Sequence, residues 1–114
     1  MASLAIQLIF GGASFGGMGS EFDSVAETKN ALSILAKNDI RTIDTATVYI
    51  NSEVLLGQAG VSGLGFSIDT KYPGGFAPQP STKDDVIARA EESLRQLNID
   101  QVGYTSPAHA RLCR

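Results

Sequence analysis

Short apolar runs alternate along the chain with longer stretches in which apolar residues recur every three or four positions. Residues 4–10 are almost continuously apolar, as expected of a strand covered on both faces. Residues 24–38 bring Val25, Ala31, Leu32, Leu35 and Ala36 to one face at near-helical spacing. Ser24 and Glu27 are spaced as a capping box at the start of that helix, and Lys37 and Asn38 suit its end. Residues 40–44 form a second apolar run. Asn51, Ser52 and Glu53 offer a cap for a short helix through Val54, Leu55, Leu56 and Ala59, which Gly57 and Gly60 shorten. A third strand is expected over 65–71, centred on Ile68. Pro73, Gly74 and Gly75, then Pro78 and Pro80, break the chain into either a plain connection or the border of a pocket. Ser81, with Asp84 and Asp85, caps the longest helix, near 82–97. Val86, Ile87, Ala90, Leu94 and Leu97 form its expected buried stripe, and Arg89, Glu91, Glu92, Arg95 and Gln96 its solvated face. Asn98, Ile99 and Asp100 turn the chain, and residues 101–104 should start a fourth strand.

Strand and helix in strict alternation imply an α/β protein with a parallel sheet and right-handed helical crossovers. The first three strands should lie side by side in chain order. The alternation fits a small doubly wound sheet and a partial barrel equally well.

The chemistry gathers where the second and third runs end. Asp44 closes one, Lys71 closes the other, and Tyr49 follows Asp44 by five positions. Side chains at the C-terminal ends of neighbouring parallel strands are placed to build one site. A phenol has a reference pKa of about 10. An ammonium beside a phenol favours the phenolate, and a carboxylate against the ammonium keeps it charged and oriented. Tyr49 is then suited to give a proton to a carbonyl oxygen as hydride reaches the carbon, and the hydride must come from a cofactor. The glycines at 11, 12, 16, 17 and 19 make either a flexible turn or a backbone that approaches a ligand closely. They do not form the Gly-x-Gly-x-x-Gly dinucleotide fingerprint.

Phe10-Gly11-Gly12-Ala13-Ser14-Phe15-Gly16, Thr42-Ile43-Asp44-Thr45-Ala46 with Tyr49, Ser52-Glu53 with Leu56-Gly57, and Thr70-Lys71 together resemble the aldo-keto reductase family. The likeness is greatest to its aflatoxin-aldehyde-reductase-like fungal members. It runs from about residue 6 to 102 and corresponds to the first half of a family member. The resemblance selects the barrel: the first three to four βα units of a TIM (β/α)8 barrel, which when complete needs about 250 residues. It implies NADPH as cofactor, a small carbonyl compound as substrate, and Tyr49 as proton donor with Lys71 and Asp44 as its supports. It also implies that Asp44 touches the cofactor, that the first glycine loop lies near the nicotinamide, and that fungal secondary metabolism is the setting.

Composition narrows the partners. The hydrophobic share of 43% permits a core, and 114 residues make room for one domain. A net charge of −3 argues against nucleic acid. The single cysteine, Cys113, leaves no internal disulfide, and no metal site is expected. No basic start precedes the apolar run at 4–10, and no run is long enough to span a membrane, so the expected location is the cytoplasm. Residues 1–102 read as the reductase segment and 103–114 as a divergent tail. Pro107 opposes strand continuation, and the tail's His109 does not take the place of the family's substrate-orienting histidine. The expectation is therefore a truncated reductase. The alternative is an inactive remnant, or an interaction module that pairs or self-associates through its open strand edges.

Overall fold

The computed structural model describes residues 6–17, 19–73 and 78–102. Three strands, β1 (Ile9–Gly11), β2 (Thr42–Asp44) and β3 (Ser67–Asp69), alternate with three helices, α1 (Val25–Lys37), α2 (Ser52–Gln58) and α3 (Lys83–Leu97). The strands form one parallel sheet in the order β1-β2-β3. Phe10 lies opposite Ile43, and Ile43 opposite Ile68. This is the expected α/β architecture. The regular ladders are shorter than the apolar runs because pairing holds over only three residues of each strand.

Ile43 and Ile68 are buried and pack with Leu32, Leu35, Leu56, Val61 and Leu97 into one core. That core gathers apolar side chains from all three helices around Ile43 and Ile68 of the sheet. Phe15 joins it, flanked by Phe10 and Phe22 with ring centroids 5.7 and 5.8 Å away. The expectation of a first strand covered on both faces is not met. Ile6, Leu8 and Ile9 are 87%, 59% and 56% exposed, because β1 is an edge strand with no outer neighbour among the described residues.

Ser24 caps α1 as expected, its hydroxyl accepting from the Glu27 amide at 3.2 Å. Asn51 does not cap α2 with its side chain. It enters the helix through the left-handed region instead, at φ 59°. Gly57 does not end α2 either; it sits within it, where a Cβ would come 1.9 Å from the Gln96 carbonyl oxygen. The glycine therefore lets α2 and the end of α3 touch backbone to backbone. The cap of α3 falls one residue later than expected: Thr82 and Asp85 form the capping box, while Ser81 bonds to the Tyr72 hydroxyl. The expected stripe of α3 also needs correction. Ser93 and Leu97 are its buried residues, and Ile87 is 45% exposed. The buried residues of α3 lie in its C-terminal half, and Ile87, nearer its start, stays partly open to solvent. Residues 101 and 102 have no regular structure, and the rest of the expected fourth strand, with the tail, lies outside the described residues.

Candidate active site

Asp44 is the last residue of β2, in register with Gly11 on one side and Asp69 on the other. Lys71 lies two residues beyond β3 rather than on it. The chain there stays alongside β2 because Thr45 N–H donates to Asp69 O at 2.7 Å and Thr47 N–H to Lys71 O at 3.3 Å. Thr47 Oγ1 donates to that same Lys71 carbonyl at 3.1 Å. This extension points the lysine side chain back across the strand ends. Its Nζ reaches Asp44 Oδ2 at 2.5 Å and donates to the Thr45 carbonyl at 2.9 Å. The lysine and aspartate side chains are 25% and 37% exposed, so solvent screens the pair and its net contribution is modest.

Tyr49 follows on a turn closed by its N–H donating to Ala46 O at 3.1 Å. The Lys71 ammonium stands 5.6 Å from the centre of its ring, within cation–π range. The three residues singled out from sequence therefore converge. The contact to Tyr49 is to the ring; no hydrogen bond joins its hydroxyl to Lys71 among the described residues.

Two residues of α2 belong to the same structure, and the sequence pattern marks them only as a helix cap and as family motif positions. Ser52 and Glu53 are buried, and each meets a threonine hydroxyl next to the ion pair. Their signal was available: a serine and a carboxylate opening a helix, and a threonine beside each charged strand end. Gly12 is required for a related reason, since a Cβ there would come 2.9 Å from the Asp44 carbonyl oxygen.

The neighbourhood suits a cofactor ring. Gly11 places no side chain beside Asp44, and the space where its Cβ would project is open. The second Asp44 oxygen has no hydrogen-bond partner among the described residues. On the other side of Lys71, a cavity of about 330 Å³ opens toward α3, lined by Thr47, Lys71, Tyr72, Val86, Ala90 and Leu94. Neither Asp44 nor Tyr49 lines it. No group of histidine, cysteine or carboxylate side chains among the described residues is arranged to hold a metal. No helix there is long and apolar enough to cross a membrane.

The model of the Aldo/keto reductase family matches residues 7–108. The chain belongs to the aldo-keto reductase family. Two solved structures show which part of the fold it supplies. A Pseudomonas aeruginosa protein described as an aldo-keto reductase is 24% identical with a TM-score of 0.67, the match covering 84% of this chain and 38% of that one. An aldo-keto reductase from Bacillus halodurans, solved in holo form, is 22% identical with a TM-score of 0.63, covering 84% and 33%. No curated protein matches significantly. The chain thus spans little more than a third of these structures' length and corresponds to the N-terminal part of their barrel. Of the two architectures open to the βα alternation, the barrel is the one realised. Members of this family are carbonyl–alcohol oxidoreductases that generally use NAD(P)H.

Proposed function

We propose that this segment carries the proton-transfer half of an NADPH-dependent aldo-keto reductase that interconverts a carbonyl compound and an alcohol. The observation that supports this most is the convergence of Asp44, Lys71 and Tyr49 across two adjacent parallel strands. When bound, the nicotinamide supplies the hydride. Tyr49 gives its hydroxyl proton to the substrate oxygen, so that the carbonyl leaves as an alcohol. Lys71 stabilises the phenolate that remains, and Asp44 holds Lys71 against the strand ends. Asp44 is also the residue of this segment that touches the cofactor. The resemblance carries NADPH as the cofactor and a fungal aflatoxin-aldehyde-reductase-like relative acting on secondary metabolites, in a cytoplasmic setting. Residues 1–102 are the reductase segment in this reading, and 103–114 depart from the family pattern.

The test joins this segment to the remaining strands of the barrel and follows NADPH absorbance with a reactive aldehyde. Tyr49→Phe should lower turnover by about 10² or more, the range expected for loss of a positioned proton donor. Binding of NADPH, read by fluorescence, should stay unchanged. Full turnover in Tyr49→Phe would remove Tyr49 as the donor.

A further inference from the structure

The first turn of α2 holds two buried polar residues that the proton transfer leaves unused. Ser52 is fully buried and Glu53 is 3% exposed. A carboxylate taken so far out of water is costly unless it is bound to something. Ser52 donates to the Gly12 carbonyl oxygen at 2.8 Å. A serine has one proton, so in the 2.7 Å contact between Ser52 and Thr45 the threonine hydroxyl is the donor. Glu53 Oε1 accepts from the Thr70 hydroxyl at 2.5 Å. The two threonines flank the two ends of the ion pair: Thr45 follows Asp44, and Thr70 precedes Lys71. Side chains alternate between faces along extended chain. Ser52 and Glu53 therefore grip the strand tips from the face opposite the one that presents Asp44 and Lys71.

We propose that Ser52 and Glu53 are positioning residues that set the separation of Asp44 and Lys71. One helix turn fixes both tips, so the two charged side chains start from backbone held at a constant spacing. The need for such a grip follows from the short ladders. Regular pairing stops at Asp44 and Asp69, and Lys71 lies beyond it on a flexible four-carbon stem. The proposal rests on the reading of Lys71 as the support of Tyr49.

Protection of the Lys71 amine measures the grip without any turnover. The 114-residue chain is treated with limiting acetyl N-hydroxysuccinimide ester, and acetylation of Lys71 is divided by that of Lys83 from peptide masses. Thr70→Val should raise this ratio about two- to fivefold, the size expected when a partly exposed ion pair is lost. Thr70→Ser restores the hydroxyl and should return the ratio to the wild-type value. Glu53→Asp withdraws the carboxylate by one methylene and should act like Thr70→Val. A wild-type ratio in Thr70→Val or Glu53→Asp, with helical circular dichroism intact, overturns the proposal. Loss of helical signal in both variants assigns the contacts to folding alone and overturns it equally. Absence of turnover once the segment is joined to the remaining strands of the barrel, with the expected ratios in the 114-residue chain, counts against the reductase reading and leaves the grip standing.

Discussion

Thr45 is fully buried and uses every polar group it has. Its N–H goes to Asp69 O, its carbonyl receives Lys71 Nζ, and its hydroxyl meets Ser52. Ser52→Ala would strand the Thr45 hydroxyl, while the Gly12 carbonyl would keep the Phe15 N–H. The expected cost is about 1–3 kcal/mol, the penalty for buried groups left without partners, read from the shift in urea midpoint. Thr45→Ser keeps all three bonds and should cost less. At this scale the sequence was most informative where chemistry is local. A charged residue closing an apolar run identifies Asp44 and Lys71 without any tertiary knowledge. Ser52 and Glu53 were legible as a serine and a carboxylate opening a helix, but their pairing with Thr45 and Thr70 was not, because it depends on how α2 turns over the strand tips.

Among elements, the close approach of α2 to α3 has the sharpest consequence. Gly57→Ala would drive a methyl into the Gln96 carbonyl. The helices must separate, and a destabilisation of about 3 kcal/mol is expected, the upper range for overpacking, measured by the same urea midpoint. The start of α3 allows a different test. The Thr82 backbone N–H, then the Thr82 hydroxyl, hold the Asp85 carboxyl below its ordinary value of 3.8. A carboxyl depressed in the folded state stabilises above its unfolded value and loses that contribution as pH falls through the folded one. Helical circular dichroism should therefore weaken below pH 3.8 in the wild type, and by less in Asp85→Asn, which has no carboxyl to protonate. Helix existence and helix ends were readable to within a residue or two, because caps are short-range. Ser81 was preferred to Thr82 since both have a hydroxyl and an aspartate three residues on. The reciprocal bonds between Thr82 and Asp85 decide between them.

For the whole molecule, alternation of strands and helices implied a parallel sheet but not its curvature. The barrel was legible only through motifs, and the structural neighbours then decided it. The buried stripe of α3 was misjudged for a physical reason: periodicity marks an apolar face, but whether anything covers that face is set elsewhere. Ile6, Leu8 and Ile9 make β1 an open apolar edge, a ready template for pairing. The 114-residue chain should therefore sediment as concentration-dependent oligomers, and Ile9→Lys should shift it toward monomer. Assayed alone with NADPH and aldehyde, it should turn over far more slowly than an intact reductase. Holding both reactants in place is worth about 7–11 kcal/mol in favourable cases, and the described residues include no histidine to orient a carbonyl.

The backbone contact at Gly57 also bears on how the molecule breathes. Seven residues of α2 connect the strand-gripping turn at one end to Gln96 at the other. A rod that short transmits displacement rather than absorbing it. In native-state hydrogen exchange, amides near the end of α2 and those near the end of α3 should open with one shared free energy. Fluctuations of the far helix would then be felt at the lysine, making the mobility of α3 a natural gauge of how steadily the proton donor is supported.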